Sequence, residues 1–475
     1  MPIDPQSLTH TQVQAALGAL IGAAVGDALG APFEFESAGL YSRTFPHPVL
    51  GGIGEMVGGG SFGWAPGEFT DDTQMAVALA ESLLAHEGDF HPETTWDHFV
   101  AWSAQATDIG NTTRLALRGS HFSTAAREAH ERLGRTGSNG SVMRIAPMGI
   151  VGVQWGRERT METARRQSDL THFDPIAGWS AAIAAEVIRA CIAGGLFHKA
   201  VYEAVQLVDE DLRSEFVQYL ADDWKPESAR FGNGAAIVCL AQAVWAVRTT
   251  TSFEDAVTSA INLGDDADTV AAVTGALAGA KYGIQQIPAR WSTYVHGTVR
   301  QPDGTMKTYR QHDLLHLAHA LVGKPSRPMT PPEAIVPPAQ IHEKGVFASN
   351  QLGATVADTN MGIVSLCRME EMLSQHPFRR EHYIIDHWGE GHNPYLRSVT
   401  EDAVAAIDAF LEEGRNVLVH CHGGRSRTTF ILKAWYMKSF NVDHDAAHEW
   451  ISTQWPLTAT WNEDFMHFLD TEWMQ

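Results

Sequence analysis

The stretch NVLVHCHGGRSRTTF, Asn416 to Phe430, joins three kinds of backbone without a break. Val417 to Val419 form a short apolar run suited to a buried strand, and TTFILKAWYM, beginning at Thr428, opens a helix. Between them Gly423 and Gly424 give the chain freedom to curl tightly. In such a turn successive N–H groups face one anion, and the helix N-terminus adds partial positive charge. Cys421 and Arg427 stand at either end of this turn, separated by five residues. Arg427 suits a bidentate grip on phosphate oxygens, and the same positive field favours the thiolate of Cys421.

Outward from this loop, GIVSLC and HYIID read as further short strands, and EDAVAAIDAFLEEG reads as a helix. Strands alternating with helices predict an α/β domain. A thiolate that attacks phosphorus needs an acid to protonate the departing oxygen. Asp386, at the end of the HYIID run and 421 − 386 = 35 residues before the cysteine, is the candidate, with Glu390 as a weaker alternative. The bland reading is a phosphate-binding domain without turnover.

The texture changes at GKPSRPMTPPEAIVPPAQ, Gly323 to Gln340, where Pro325, Pro328, Pro331, Pro332, Pro337 and Pro338 crowd together. Proline at that density stops helices and stiffens an extended connection. The expected division is residues 1–322, a linker over 323–340, and residues 341–475. Before the seam, TQMAVALAESLLAHEG, GWSAAIAAEVIRACIAGG, GAAIVCLAQAVWAV and DTVAAVTGALAGAKYG place apolar residues at helical spacing, so an all-α domain is predicted. Gly18, Gly22, Gly26 and Gly30 recur every four residues, which lets a neighbouring helix approach closely.

At 475 residues the chain exceeds one ordinary core. Its net charge is −22, from 34 basic and 56 acidic residues, which disfavours nucleic acid and anionic membrane as partners. MPIDPQSLTH has no Lys or Arg and so lacks the charged start of a secretion signal. AALGALIGAAVG, Ala15 to Gly26, ends at Asp27, too short to span a bilayer. Cys191, Cys239, Cys367 and Cys421 form no CxxC pair, so neither a disulfide framework nor structural zinc is expected. A cytoplasmic location follows as the simplest expectation.

Two segments of the first part share a pattern. FTDDTQMAVA (Phe69–Ala78) and LGDDADTVAAV (Leu263–Val273) each set threonine and aspartates at the mouth of an apolar helix. Either alone suits helix capping. If the pair converges, the carboxylates repel one another, and a hard divalent cation relieves the repulsion through oxygen ligands.

The first part resembles the ADP-ribosylglycohydrolase family, which includes the dinitrogenase-reductase-activating glycohydrolases. GAAVGDALGAPFEF, FTDDTQMA, DIGNTTR, SNGSVMRIAP, LTHFDP and LGDDADTVAAVTGALAGAKYG stand in family order over residues 12 to 300. The resemblance implies a dinuclear Mg²⁺ or Mn²⁺ site held by Thr70, Asp71, Asp72, Asp266, Asp268 and Thr269. It implies Glu34 beside the metals and ribose, Asp108 and Asn111 in the acidic loop of the arginine-deconjugating branch, and either Asp108 or Glu34 as the carboxylate that moves the proton. It places Asn139, Gly140, Met143 and His172 against ADP-ribose. Asp265 is a departure, since the family more often has glycine there.

From Val346 to Glu472 the chain resembles the cysteine-dependent phosphatases, especially the dual-specificity branch, on His420, Cys421, Arg427 and Thr428. The resemblance implies a phosphocysteine intermediate, with Thr428 helping the thiolate leave and no metal. The loop interior, His422, Gly423, Gly424, Arg425 and Ser426, would bind the phosphate. It departs from the Ala-Gly more usual there, and Arg425 adds a second cation that points to a highly anionic substrate. The expected protein is a bifunctional hydrolase acting on an ADP-ribosylated protein or an ADP-ribose-containing small molecule, and on a phosphorylated substrate. Alternatives are a recognition protein without turnover, and a phosphatase regulated by an ADP-ribose-sensing domain.

Overall fold

The computed structural model describes residues 2–326, 329–387, 389 and 391–475. Pro328 of the seam and Glu390 lie outside the described residues. The chain forms two compact units. The first comprises residues 1–47, 56–287 and 294–326, and the second comprises 48–55, 288–293 and 327–475. No single cut along the chain reproduces this division, because two short segments from early and middle sequence belong to the second unit.

The first unit is helical, and each apolar run read above forms a helix. These are Asp71–Ala85, Pro175–Ile192, Ala236–Thr249 and Ala267–Tyr282. The His10–Gly30 helix runs past Asp27, which is fully buried inside it. Two of the helical segments, His10–Phe33 and Pro175–Ile192, are long and apolar enough to cross a membrane, but 94% and 89% of their apolar windows are buried inside the protein. They are core helices of this unit. A two-stranded antiparallel hairpin, β1 (His296–Arg300) and β2 (Met306–Arg310), interrupts the all-helical pattern. Its turn is closed by Gln301 N donating to Thr305 O at 2.8 Å.

The glycine stripe of the His10–Gly30 helix lies directly on the Ala267–Tyr282 helix. A Cβ added at Gly18 would stand 2.4 Å from Gly279 O, one at Gly22 2.2 Å from Gly275 O, and one at Gly26 2.0 Å from Ala271 O. At the far end, a Cβ on Gly30 would lie 2.5 Å from the Cα of Asp268. Backbone meets backbone at these four positions, about one turn apart, closer than any side chain allows.

The second unit holds a five-stranded sheet in the order β3 (Ala339–His342), β4 (Val346–Asn350), β7 (Val417–Cys421), β5 (Gly362–Ser365) and β6 (Arg379–Glu381). Only the β3–β4 pair is antiparallel. Every residue of β7 is buried, as a central parallel strand covered on both faces requires. Its register sets Cys421 beside Asn350 and His420 beside Ser365, so the cysteine ends the central strand at the carboxyl edge of the sheet. Ligands bind at that edge in open α/β sheets. HYIID does not form the expected strand; β6 lies just before it. The Asn393 side chain pairs with both backbone groups of Ile385, at 3.0 and 2.9 Å, and occupies the bonds a neighbouring strand would make.

Segments 48–55 and 288–293 are fastened by buried polar contacts. Glu55, 1% exposed, accepts from Arg290 Nε at 3.1 Å, Trp291 Nε1 at 2.6 Å and Val49 N at 2.9 Å. Arg380 donates to Leu50 O at 3.0 Å, and Asp402 accepts from Ala289 N at 2.9 Å.

A Cβ on Gly275 would stand 1.9 Å from Gly22 O, whereas one on helical Gly178 meets nothing nearer than 3.8 Å. Gly275→Ala is therefore expected to cost about 3 kcal/mol of stability in denaturant titration, because the helices must part. Gly178→Ala, the matched control, is expected to be neutral or to stabilise by up to ~1 kcal/mol.

Candidate active sites

In the first unit the helix contact sets the geometry. The carboxylate of Asp27 accepts hydrogen bonds from Thr70 N at 2.9 and 3.1 Å and from Thr73 N at 2.9 Å, capping the Asp71–Ala85 helix from a neighbouring element. Thr70 Oγ1 lies 3.2 Å and Thr269 Oγ1 3.4 Å from Asp72 Oδ2, so the two acidic helix mouths do converge. One carboxylate oxygen from each of Asp27, Asp72 and Asp268 lies within 4.8 Å of the others, and the same holds for Glu34, Asp108 and Asp268. Asp268 belongs to both groups.

Asp71 and Asp266 stand outside these two groups. Asp71 is 7% exposed, and Asp266 accepts from Asn139 Nδ2 at 2.8 Å. Asn233, which sequence reasoning missed, ties this corner together. Its Oδ1 accepts from Asp266 N at 3.1 Å, its Nδ2 donates to Gly264 O at 2.9 Å, and its carbonyl accepts from Asn139 Nδ2 at 3.2 Å. Asp27 was missed as well; the signal was an acidic residue inside an otherwise apolar, glycine-striped helix. Asp265 is exposed at φ +58°, a left-handed conformation that explains why glycine suits this position.

The binding residues read from the resemblance separate into two kinds. Asn139, Gly140 and Met143 are buried in and after the short turn Asn139–Ser141, and Asn111 is exposed at the start of the Asn111–Ala116 helix. His172 has no exposed surface. Its Nδ1 pairs with Thr171 Oγ1 at 2.8 Å and its Nε2 with Ser138 Oγ at 2.9 Å. It supports the Asn139 turn from behind, and burial holds its ring down to about 3.

Electrostatically the site is strained. Burial, then the neighbouring carboxylates Asp108, Asp266 and Asp27, pushes Glu34 up to about 8. Burial also raises Asp27 to about 6, and burial with Asp266 raises Asp108 to about 6. Asp71, Asp72 and Asp268 are driven well above the usual carboxylate range by burial and by neighbouring carboxylates, Asp27 and Asp266 among them in every case. Asp72 Oδ1 and Glu34 Oε2 are buried without a hydrogen-bond partner. An all-oxygen set with orphaned acceptors fits hard divalent cations. Cys239, fully buried and raised well above its usual value by burial and by Asp266, is inert, as is Cys191 at about 12.

In the second unit the strand, loop and helix form as read, with the Ser426–Phe440 helix following the loop directly. The glycine requirement falls on Gly424, at φ +68°, where a Cβ would stand 2.6 Å from Ser349 O. At Gly423 a Cβ would make only ordinary contacts, 3.8 Å from Arg425 carbons. Trp455 Nε1 holds Gly424 O at 2.7 Å, and His422 Nε2 lies 2.8 Å from Thr330 O. Cys421 is 2% exposed. His420 is fully buried against Ser365 Oγ at 2.7 Å, and burial holds its ring down to about 3.

Arg427 is fixed by one nitrogen, which donates to Leu366 O at 2.7 Å and Ile384 O at 3.1 Å. Its Nε is buried without a hydrogen-bond partner, 3.9 Å from Asp386 Oδ2. Asp386 is drawn to the loop by Ser426 Oγ at 2.7 Å and Asn462 Nδ2 at 3.4 Å, so the candidate acid stands beside the candidate nucleophile's loop. Thr428 Oγ1 is buried and unpartnered.

Comparison with known proteins follows this division. The profile of the ADP-ribosylglycohydrolase family matches residues 8–329, and that of the dual specificity phosphatase catalytic domain matches residues 363–472. The ADP-ribosylarginine hydrolase Tri1 of Serratia proteamaculans is 34% identical, across 58% of this chain and 74% of its own length. The ADP-ribosyl-[dinitrogen reductase] glycohydrolase of Rhodospirillum rubrum is 32% identical, across 58% of this chain and 88% of its own. A solved structure described as an ADP-ribosylglycohydrolase-related protein complex superposes with a TM-score of 0.52 at 30% identity, covering 66% of this chain and 99% of that one.

The raised carboxylates predict a pH dependence. Glu34, at about 8, binds its proton more tightly folded than unfolded, so stability falls as pH rises toward that value. Buried His172 and His420, both at about 3, act in the opposite sense, but their contribution is complete above the unfolded histidine value of ~6.5. Between about pH 6.5 and 8 the chelated protein is therefore expected to lose melting temperature, and excess Mg²⁺ or Mn²⁺ is expected to flatten that decline. Thermal melts with and without chelator measure both slopes.

Proposed function

The chain belongs to the ADP-ribosylglycohydrolase family and carries a dual specificity phosphatase catalytic domain behind it, and from that premise we propose a two-site hydrolase that removes ADP-ribose at one site and phosphate at the other. The observation that carries the first half is the convergence of Asp27, Asp72 and Asp268 with Glu34 and Asp108 around buried, unpartnered oxygens.

Asp27, Asp72 and Asp268, with Thr70 and Thr269, would hold Mg²⁺ or Mn²⁺, with Asp71 and Asp266 beside them. Bound cations supply Lewis acidity toward the ribose hydroxyls. The chain's own groups handle the protons. As the bond from ribose C1″ to the leaving group breaks, its electron pair goes to the leaving atom, which takes a proton. Water adds to C1″ and gives up a proton to a carboxylate. Glu34, buried and raised to about 8, suits the acid, and half-buried Asp108 suits the base. The DIGNTTR loop and the activity named for the Tri1 relative favour arginine-linked ADP-ribose.

At the second site the Cys421 sulfur attacks phosphorus, an S–P bond forms and the P–O ester bond breaks. Asp386 gives its proton to the departing oxygen. Water then adds to phosphorus and gives a proton to the Asp386 carboxylate as the S–P bond breaks, releasing phosphate and the thiolate, with Thr428 donating to the sulfur. The Nε edge of Arg427, which makes no hydrogen bond, takes the phosphoryl oxygens while Nη1 stays on Leu366 and Ile384. This half requires no metal. The balance of charge and the cysteine pattern support a cytoplasmic setting.

Asp268→Asn is expected to lower release of ADP-ribose from an arginine-linked substrate at least about 100-fold while leaving phosphate release from an aryl phosphate intact. Cys421→Ser is expected to do the reverse. Loss of both activities in either variant, by paired assays on one preparation, would contradict two separate sites.

A further inference from the structure

Arg425 has no assigned task in the proposed phosphatase chemistry. It is exposed, at the N-cap of the Ser426–Phe440 helix, and its backbone carbonyl accepts from Thr429 N at 2.8 Å. Its Cγ and Cδ lie 3.8 Å from where a Cβ on Gly423 would stand, so the side chain folds back beside Gly423. Among the described residues its guanidinium has no ion-pair or hydrogen-bond partner. The contrast with the rest of the loop is sharp. Arg427 is anchored on two carbonyls, Ser426 and Asn462 hold Asp386, and His422 is held to Thr330 O. The loop amides, the helix N-terminus and Arg427 already serve the transferred phosphate. Among the described residues this further cation has no counter-charge beside it.

Resting on the phosphatase reading of this loop, we propose that Arg425 is a second-anion subsite, and that the substrate is a small phosphomonoester carrying a further phosphate or pyrophosphate. The favoured class is ADP-ribose bearing one phosphomonoester. Two observations select it over an acidic phosphopeptide. The chain's net charge is −22, so an extended acidic surface meets repulsion over its whole footprint, whereas a small anion meets only the local field of the loop. The first unit belongs to a family of ADP-ribose hydrolases, so a pyrophosphate-bearing product is made on the same chain. The transferred group is the monoester phosphate alone. The S–P bond forms at Cys421, the ester P–O bond breaks, Asp386 protonates the departing oxygen, and the pyrophosphate held by Arg425 leaves intact on ADP-ribose.

The test compares p-nitrophenyl phosphate, ADP-ribose phosphorylated at the 1″ or 2′ position, and an Asp/Glu-flanked phosphotyrosine peptide on the full chain. The wild type is expected to prefer a phosphorylated ADP-ribose by kcat/KM. Arg425→Met should shrink that preference about tenfold, mainly through KM. It should also flatten the fall of kcat/KM with added salt, and Arg425→Lys should restore part of the preference. Equal losses on every substrate, with a displaced acid limb of the pH profile, would show Arg425 acting through Cys421 and overturn the proposal. So would a preference for the acidic phosphopeptide. Cleavage of p-nitrophenyl phosphate without any preference removes the subsite but leaves the phosphatase reading standing; no cleavage of any phosphomonoester removes both.

Discussion

The first site depends on the contact between two backbones. Along the His10–Gly30 helix, glycines replace every side chain that would hold the Ala267–Tyr282 helix away, and Cα and carbonyl atoms of the two meet directly. That approach places Asp27, from the last turn of one helix, beside Asp268, from the first turn of the other. Asp27 then caps a third helix through Thr70 and Thr73, which fixes Asp72 in turn. A chain of short, rigid steps thus gathers charges that repel one another. Three buried carboxylates raised well above their usual range, and two more near 6, are tolerable only if a cation or protons compensate them.

The second unit solves the opposite problem, the concentration of positive field at one point. Central parallel strand β7 delivers Cys421 to the carboxyl edge of the sheet, and the following helix begins within a few residues. Gly424 makes the turn between them possible, in both conformation and space, where the loop runs against Ser349. Arg427, Ser426 and Gly424 are pinned by carbonyls, a carboxylate and a tryptophan N–H, which leaves this part of the loop preorganised.

Much of this was legible in the chain itself. Helix mouths rich in Asp and Thr, and a strand–loop–helix with Cys and Arg five residues apart, announce their chemistry because the local element and the reactive groups are adjacent in sequence. Asp27 was harder, since one buried acid in an apolar helix looks like the end of the apolar run. Asn233 was invisible because its role is to bridge segments about thirty and ninety residues away. His172 lies in a binding motif, yet its two ring nitrogens face inward, an orientation that spacing does not encode. The membership of 48–55 and 288–293 in the second unit rests on Glu55 joining the two segments through Arg290 and on Arg380 and Asp402 holding them, pairings that only the fold brings together. Tertiary contacts decided each of these cases, and local pattern decided the rest.

The central claim is that the glycine-lined helix contact assembles one divalent-cation centre from distant carboxylates. Electron paramagnetic resonance during Mn²⁺ titration of the wild type and of Gly22→Val tests it most directly. The account predicts about two tightly bound, exchange-coupled ions per chain in the wild type, and uncoupled, weak binding in the variant. Weak, uncoupled binding in the wild type, or undiminished coupled binding in the variant, would contradict it.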